Sequence, residues 1–244
     1  MKIIATIEAR MTSSRLPGKV LLHAAGKPML EHLVNRLRAV PSLDGIVLAT
    51  TVNATDDGLE EFSKRVGISC YRGSENDVME RVIGAAESVE ADVVVEITGD
   101  CPIIDPQLVE QTIRMFKVNQ ADYVSNSHIR SYPDGMDVQV FTLVALKRSA
   151  AMTDDVIDHE HVTLHIRNHP EIFSQVYLVA PPEIHWPELG LTLDEPKDFE
   201  LLKKIIEHLE PVNSLFSCLN VVQLLREMPE WVAINQAVVR KGNT

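Results

Sequence analysis

The sequence predicts an α/β fold in which helices flank a mostly parallel central sheet. Three short apolar runs rich in β-branched residues, at 3–7, 45–50 and 92–97, are typical of strands buried on both faces of such a sheet. Amphipathic helical stripes separate the runs, and this alternation favours parallel strands joined by right-handed crossovers. The chain has 244 residues, 45% of them hydrophobic, and no repeat or low-complexity linker divides it. We therefore expect a single domain over residues 1–244.

The individual elements follow from local patterns. Apolar residues recur at helical spacing over 30–37, 59–66 and 78–89, and Pro106 is expected to begin a further helix. The remaining predictions are helices at 143–151, 158–168, 196–208 and 218–228, and strands at 68–71, 122–125, 138–140, 173–179 and 190–194. Turn residues gather at 127–137, which we interpret as a loop over the edge of the sheet, inside an excursive segment near 126–190.

The charge of the chain is unevenly distributed. Lys and Arg number 23 against 35 Asp and Glu, for a net charge of −12, a sign that repels nucleic acid and anionic membranes. Residues 1–40 nevertheless carry seven basic and only two acidic side chains. A local positive segment on an acidic protein indicates a site for a small anion, although a solvated charge asymmetry gives the same count. We expect neither nucleic acid nor membrane as a partner.

Cysteine usage and hydropathy indicate the compartment. Cys70, Cys101 and Cys218 are odd in number and lack CxxC spacing, so the sequence predicts neither a disulfide framework nor a zinc ribbon. The apolar run near the N-terminus is too short for a signal peptide, and no stretch approaches the roughly 20 apolar residues that span a bilayer. The expectation is a cytoplasmic protein.

The segment 9–19, ARMTSSRLPGK, is the most informative part of the chain. It follows the first predicted strand, and open α/β sheets bind ligands beyond the carboxyl ends of their strands. Three cations, three hydroxyls and Gly18 within eleven residues could surround phosphate oxygens. Neither a Walker A loop nor a GxGxxG fingerprint is present. The composition indicates a phosphate-binding loop, with a solvated basic loop as the alternative.

Two acidic side chains are predicted at strand ends. Asp100 follows the run at 92–97, and Asp194 follows the short run at 191–193. Carboxylates at such positions can hold a hard cation such as Mg²⁺ beside phosphates. Taken singly, either residue is better explained as a turn residue or a helix N-cap, and only their joint occurrence with the cationic loop favours the metal site.

Three further groups of residues are candidates from spacing alone. In the segment 72–77 (RGSEND), Gly73 and Ser74 could approach a nucleobase, whereas Asp77 suits the N-cap of the next helix. His161, His165 and His169 recur every four residues, but HxxxH is a weak zinc signal, and contact of one histidine with an anionic ligand is an alternative. In the loop, His128, Arg130 and Asp134 are candidates for contact with a second substrate, and exposed loop residues without a ligand are an equal alternative.

At these residues the sequence resembles the cytidylyltransferase family that includes the 3-deoxy-manno-octulosonate and acylneuraminate enzymes, with most similarity to the spore coat polysaccharide biosynthesis protein F branch. The resemblance extends over nearly the whole chain. It rests on residues 9–21 (ARMTSSRLPGKVL), 72–78 (RGSENDV), 98–106 (TGDCPIIDP), 132–138 (YPDGMDV), 160–163 (EHVT) and 191–196 (LTLDEP).

The resemblance implies a nucleotide-diphospho-sugar transferase fold, Rossmann-like, and transfer of CMP from CTP to a sugar acid with release of pyrophosphate. It implies a nucleotide-binding half at 1–125, an acceptor and dimerisation segment at 126–190, and a metal-site strand end with C-terminal helices at 191–244. A homodimer acting in surface polysaccharide biosynthesis is the corresponding expectation.

The resemblance also assigns site residues. Catalytic roles fall to Arg10, Lys19 and Asp100, and Mg²⁺ to Asp100 and Asp194. Nucleotide binding is expected at Ala9, Arg10, Met11, Ser13, Arg15, Lys19, Arg72, Ser74, Asp77, Thr98 and Gly99. Acceptor binding is expected at His128, Arg130, Asp134, Gly135, Glu160 and His161.

Two departures from the family pattern affect these expectations. Glu8 stands where the spore coat branch commonly has Gln, and Thr12 stands where Gly is frequent, so base selectivity and loop geometry are left open. The alternatives are a nucleotidyltransferase that uses another nucleoside triphosphate or a sugar-phosphate or phosphonate acceptor, a non-catalytic nucleotide-binding domain, and a zinc hydrolase built on the histidines.

Overall fold

The computed structural model describes residues 1–239, so the last five residues of the predicted domain lie outside the described part. Its strands are β1 (Ile3–Glu8), β2 (His23–Ala24), β3 (Lys27–Pro28), β4 (Gly45–Thr51), β5 (Ser69–Gly73), β6 (Val93–Thr98), β7 (Tyr123–Ser125), β8 (Gln139–Thr142) and β9 (Gln175–Tyr177). Within the described residues, seven strands form one sheet in the order β5-β4-β1-β6-β8-β7-β9, and β2 pairs with β3 in a small hairpin.

The sheet is mostly parallel, as predicted. β1 pairs in parallel with β4 and β6, β4 with β5, and β7 with β9. β8 is the exception, because it lies between β6 and β7 and runs antiparallel to both. β6 and β7 therefore point the same way, and the loops after β1, β6 and β7 all leave the sheet at its carboxyl end.

Helices cover both faces of the sheet. They are α1 (Met29–Arg38), α2 (Asp57–Val66), α3 (Val78–Ser88), α4 (Pro106–Asn119), α5 (Leu143–Ala150), α6 (Val156–Glu160), α7 (Leu164–Asn168), α8 (Pro196–Leu209), α9 (Cys218–Glu227) and α10 (Pro229–Val232). One core lies between the sheet and α1, α2 and α4, and another lies between the sheet and α3, α5 and α7. A third cluster joins α8 and α9 to the loops at the carboxyl end of the sheet. These layers confirm the α/β fold.

Helix starts agree with the signals in the sequence. Asp77 is the N-cap of α3, and its carboxylate accepts a hydrogen bond from Glu80 N at 2.8 Å. Asp105 caps α4 in the same way through Gln107 N, directly before Pro106. Pro196 occupies the first turn of α8. Such side chains satisfy backbone N–H groups that have no partner within the helix.

Three predictions about the excursive segment are wrong. The expected helix at 158–168 is interrupted, because Val162 has φ +47°, a left-handed conformation that ends α6 and allows α7 to start afresh. The expected strand at 190–194 is absent apart from a single bridge between Gly190 and Asp134. The loop at 127–137 does not lie over an edge, since it joins β7 and β8 inside the sheet.

Membrane-spanning helices were sought among residues 1–239. No helix there is both long and apolar enough to cross a bilayer.

Candidate functional site

The loop after β1 is fastened at both ends. Met11 N donates to Asp56 Oδ1 at 2.8 Å, and Gly18 N donates to Met11 O at 2.9 Å. Gly18 has φ +70°, a conformation that glycine adopts without strain, and it leads into a single 3₁₀ turn that begins at Lys19. The cationic segment is therefore a closed turn at the carboxyl end of the sheet, and its binding of phosphate stays a prediction.

Lys19 joins the two predicted metal carboxylates. Its Nζ lies 2.9 Å from Asp100 Oδ2 and 2.9 Å from Asp194 Oδ1. Arg15 Nη2 lies 2.9 Å from the same oxygen of Asp194. The Lys19 side chain is only 11% exposed, so these are partly desolvated charge-assisted bonds. The structure thus brings together residues that are 175 positions apart in the chain.

Backbone bonds hold the two carboxylates at this position without a strand at 190–194. Leu193 N donates to Asp100 O at 2.8 Å, which places Asp194 beside Asp100. On the other side, Gly99 N donates to Glu8 O at 2.9 Å, and a Cβ on residue 99 would lie 2.8 Å from that oxygen. The close approach of two strand ends therefore depends on glycine at this position.

The charges of this cluster reinforce one another. Burial acts to raise the pKa of Asp100, but the Lys19 ammonium and hydrogen bonds from Lys19, Thr98 and the backbone together outweigh it and hold the pKa below its ordinary value. Burial acts to lower the pKa of Lys19, but Asp100 and Asp194 outweigh it and raise the pKa. The ammonium and the Asp100 carboxylate are consequently both charged at neutral pH.

Asp100 and Asp194 fit a divalent cation. One carboxylate oxygen of each residue faces the same point, where the Lys19 ammonium now lies. A positive charge is therefore stabilised at this point. No group of three or more His, Cys, Asp or Glu able to hold a metal occurs in the part of the chain that the structure describes. A pair of carboxylates is the donor set typical of Mg²⁺, which usually completes its coordination with waters and substrate phosphates.

A cleft of about 590 Å³ opens beside this cluster, and we call it the main cleft. Asp194 is not on its wall and reaches the cluster through its contacts with Lys19 and Arg15. The predicted site residues that line the cleft are Ala9, Arg10, Ser13, Arg15, Lys19, Thr98, Asp100, Glu160 and His161. The sequence interpretation missed several others, among them Glu8, Ser14, Val20, Glu75, Asn76, Val78, Arg81 and Val156. Glu160 and His161, which were assigned to the acceptor, thus lie in the same cleft as the cationic loop.

Several residues expected at the nucleotide do not line the main cleft. The Arg72 guanidinium is held by Asp57 at 2.7 Å and by Glu60 at 3.0 Å, and it donates to two backbone carbonyls. Ser74 Oγ accepts from the backbone of the following turn, and Asp77 caps α3. Met11 and Gly99 position the backbone around the cleft without lining it. Their assignment to the nucleotide stays a prediction.

The floor of the main cleft contains an unusual acidic group. Both carboxyl oxygens of Glu8 are buried without a hydrogen-bond partner. Burial, followed by the nearby Glu96, raises the pKa of Glu8 well above its ordinary value. Burial also raises the pKa of Glu96 to about 8, and Gln139 Nε2 donates to its carboxyl at 3.0 Å. The departure from the family pattern at Glu8 therefore places a buried carboxyl group with a raised pKa on the wall of the main cleft.

A second cavity, of about 300 Å³, lies under the loop between β7 and β8. His128, Arg130 and Asp134, which were predicted to contact a second substrate, line it, and the sequence interpretation missed Asn126, Ser127, Ser131, Tyr132, Asp137 and Arg167. Burial, followed by the charge of Asp134, raises the pKa of Asp137 to about 7. Gly135 has φ +100° beside Leu191, and its backbone N–H contacts Asp137.

The histidine series does not form one site. The break at Val162 leaves His161 on the main cleft, whereas His165 packs edge-on against Phe173 in the core and lies 3.3 Å from Asp158. His169 pairs instead with Glu171 at 2.8 Å. The four-residue spacing therefore does not correspond to a common metal centre.

Comparison with known proteins agrees with this geometry. The family model described as cytidylyltransferase matches residues 4–217. The spore coat polysaccharide biosynthesis protein SpsF of Bacillus subtilis is 35% identical over 212 residues, which is 84% of this chain and 86% of SpsF. The 8-amino-3,8-dideoxy-manno-octulosonate cytidylyltransferase of Shewanella frigidimarina is 35% identical over 124 residues, about half of each chain.

A solved structure shares the whole fold. The cytidylyltransferase from Leptospira borgpetersenii superposes with a TM-score of 0.91 at 30% identity, and the match covers 98% of this chain and all of that one. The family match includes the cationic loop, Asp100 and Asp194, and the similarity to SpsF extends over 84% of the chain. The chain belongs to the cytidylyltransferase family.

Proposed function

We propose that the protein transfers CMP from CTP to a sugar acid, with pyrophosphate as the leaving group, and that it serves the biosynthesis of a surface glycan. The observation that carries the proposal is the convergence of Lys19, Asp100 and Asp194, with Arg10 and Arg15 beside them, at the carboxyl end of the sheet. A triphosphate and a divalent cation require this combination of cations and carboxylates within one cleft.

The cationic side chains would take the charge of the nucleotide. Arg10 lies 3.6 Å from Glu75, and Arg15 is held by Asp194 and, at 3.8 Å, by Glu195. These ion pairs keep both guanidinium groups at the cleft, and phosphate oxygens would compete with the carboxylates for them. Arg10, Arg15 and Lys19 would then neutralise the charge that grows on the departing pyrophosphate.

Asp100 and Asp194 would hold Mg²⁺. When bound, this ion would supply positive charge to the phosphate oxygens and help to align them with the acceptor oxygen. In that complex the Lys19 ammonium would be released from the two carboxylates and would become available to a phosphate. The reacting atoms need mainly positioning and charge stabilisation, because phosphoryl-type transfer requires little covalent assistance from the protein.

Homodimerisation stays a prediction. The excursive segment presents exposed apolar side chains, including Ile129, Met152, Val156, Ile157 and Val179. Measurement of the molar mass by light scattering during size-exclusion chromatography would test whether the chain pairs in solution.

Two assays test the proposed function. In thermal-shift experiments with CTP, UTP, GTP and ATP, with and without Mg²⁺, CTP should stabilise the protein most, because stabilisation grows as RT ln(1 + [L]/Kd). Pyrophosphate release with CTP should then be measured against 3-deoxy-ulosonic acids, sialic-type acids and sugar phosphates. Release with an acid, and a CMP-linked product detected by mass spectrometry, would support the proposal. A preference for another triphosphate, or turnover of sugar phosphates alone, would contradict it.

A further inference from the structure

The chain returns to the catalytic cluster near its C-terminal end. Residues 233–239 follow α10 and include a turn, and we call them the 233–239 segment. Trp231, Val232 and Ile234 pack against the third hydrophobic cluster and anchor the segment there. The family match ends at residue 217, so this segment lies beyond it. Two of its polar groups nevertheless contact the part of the chain that carries Asp194.

The first of these groups is the Asn235 side chain, which is buried with the whole residue 5% exposed. Its Nδ2 donates to Gly190 O at 2.9 Å and to Asp198 Oδ1 at 2.8 Å. A side-chain amide nitrogen has two N–H groups, so both donors of Asn235 are used. Both partners are acceptors, which requires the nitrogen and not the oxygen of the amide on this side. Asn235 therefore links the 233–239 segment to the chain on either side of Asp194.

Asp198 connects Asn235 to the metal carboxylate. It is fully buried in the first turn of α8, and its Oδ2 accepts from Asp194 N at 3.1 Å and from Glu195 N at 2.8 Å. One carboxyl group thus binds Asn235 through Oδ1 and the backbone of Asp194 through Oδ2. A rotation of this carboxyl group would move the backbone from which the Asp194 side chain projects.

The second bond of Asn235 fixes the start of the same stretch. Gly190 forms a single bridge with Asp134, and Leu191 N donates to Asp134 O at 2.7 Å. Residues 190–194 form no strand, so their course depends on a few separate hydrogen bonds. Asn235 supplies one of them at Gly190 and supports another through Asp198.

The other polar group of the segment is the carbonyl of Val239. Arg15 Nη1 donates to Val239 O at 3.2 Å, while Arg15 Nη2 lies 2.9 Å from Asp194 Oδ1. The same guanidinium therefore contacts both the 233–239 segment and Asp194. The segment thus borders the cluster from two directions, through Asn235 and through Arg15.

We propose that Asn235 is a positioning residue for the divalent cation of the transfer reaction, and that it acts through Asp198 on Asp194. This inference rests on the proposed function, in which Asp194 is one of the two metal carboxylates. Hydrogen-bond partners that orient metal ligands typically contribute about 10- to 100-fold to metal affinity or activity. A merely structural asparagine would instead change the stability of the fold and leave the Mg²⁺ requirement as it is.

The test measures how much Mg²⁺ the reaction requires. In Asn235→Ala, the Mg²⁺ concentration for half-maximal pyrophosphate release from CTP should rise by about tenfold or more, and saturating Mg²⁺ should restore most of kcat. The acceptor is the one that gives the fastest release with the wild-type protein. Asn235→Ser, whose hydroxyl group donates one hydrogen bond, should require an intermediate Mg²⁺ concentration.

Two further readouts do not depend on turnover. In calorimetric titrations without Mg²⁺, Asn235→Ala should bind CTP as the wild-type protein does, whereas Mg²⁺ should tighten its binding less. In the protein alone, hydrogen–deuterium exchange of a peptide that spans residues 190–199 should be faster in Asn235→Ala. The reason is that the amides of Asp194 and Glu195 are protected by Asp198, which loses its bond to Asn235.

Matched variants control for the loss of an amide. Asn119→Ala removes the same side chain from the end of α4, where it donates to Met115 O at 2.8 Å. Gln236→Ala removes an exposed amide next to Asn235. Both variants should keep the wild-type Mg²⁺ requirement and the wild-type exchange of residues 190–199. Thermal unfolding of every variant reports whether it is folded.

The outcomes separate this inference from the proposed function. If the wild-type protein uses CTP and Mg²⁺, and Asn235→Ala and Asn235→Ser keep its Mg²⁺ requirement, the inference is wrong and the proposed function stands. The same conclusion follows if the two variants lose stability or kcat without any change in that requirement. If the wild-type protein binds no CTP, or transfers the nucleotide without a divalent cation, the proposed metal site is wrong and the inference is overturned with it.

Discussion

The main cleft and the second cavity are built from the same end of one sheet, yet they differ in how charge is arranged. In the main cleft, Lys19 and Arg15 are paired with Asp100 and Asp194 at 2.9 Å. In the second cavity, Arg167 has no carboxylate at ion-pair distance among the described residues, and Asp134 and Asp137 lie with it on the wall. The first arrangement suits a ligand that replaces existing ion pairs, and the second suits a ligand that supplies the missing partner.

This difference has a consequence for binding. A highly charged ligand such as a metal-bound triphosphate can compensate for the ion pairs that it displaces in the main cleft. A ligand with a single negative charge could not compensate for them in this way. The two regions should therefore respond independently to substitution, and the following predictions test that independence.

The largest effect is expected at Lys19. Lys19→Met removes the ammonium that bridges Asp100 and Asp194 and that would face the phosphates. We expect kcat for pyrophosphate release to fall by about 10²-fold or more, because one preorganised charge is lost from the site of developing negative charge. Steady-state assays with CTP and the best acceptor measure this. Full activity in this variant would sink the assignment of the main cleft to the nucleotide.

A smaller effect, confined to the acceptor, is expected at Gly135. Gly135→Ala places a Cβ about 2.7 Å from Leu191 O at a φ of +100°, so the loop that carries Asp134 and Asp137 must shift. We expect KM for the acceptor to rise roughly tenfold while CTP affinity stays within about twofold, since a misplacement of about 1 Å is costly where geometry is critical.

The control for Gly135 is a glycine in a helix. Gly58→Ala in α2 meets no atom within 4 Å and should leave both constants unchanged, with a small gain in stability. An equal loss of CTP affinity and acceptor affinity in Gly135→Ala would show that the two regions are not independent.

The smallest effect is expected at Glu96, which lies beneath both regions. Its folded-state pKa of about 8 is raised above the value in the unfolded chain, so the unfolded state binds fewer protons between the two values. Stability should therefore decrease as the pH rises from about 5 to 8. Glu96→Gln should flatten part of this decrease, as measured by urea unfolding across that range.

The exposed Glu61 of α2 provides the comparison for Glu96. Glu61→Gln makes the same chemical change at an exposed position and should leave the pH dependence of stability as it is in the wild-type protein. An unchanged slope in Glu96→Gln would mean that this carboxyl does not titrate in the range expected from its burial.

The sequence was more informative for the main cleft than for the second cavity, for a physical reason. The cations of the main cleft lie within residues 9–19, so their density is visible locally. Asp100 and Asp194 could be predicted to meet because loops after neighbouring strands converge, although Asp194 is placed by Leu193 N bonding to Asp100 O and not by a strand. Arg167 gave no signal, since an arginine on a short helix is usually solvated.

Long-range pairing explains what else could not be read from the sequence. Arg72 is assigned to the nucleotide by resemblance, which stays a prediction, and nothing in its own segment indicates its ion pairs with Asp57 and Glu60 of α2. The break between α6 and α7 occurs at Val162, where no glycine or proline marks the left-handed turn. The pKa of Glu8 depends on its burial and on the charges of Glu96 and Arg81, which become its neighbours only in the folded protein.

The central claim is that Asp100 and Asp194 hold the metal of a CTP site that forms without the acceptor. Calorimetric titration of CTP, with and without Mg²⁺, into the wild-type protein, Asp100→Asn, Asp194→Asn and Arg167→Met tests it most directly. Mg²⁺ should tighten CTP binding by about tenfold or more in the wild-type protein and in Arg167→Met, and by little in the two aspartate variants. Equal tightening by Mg²⁺ in all four proteins, or no binding of CTP to the wild-type protein, would contradict the claim.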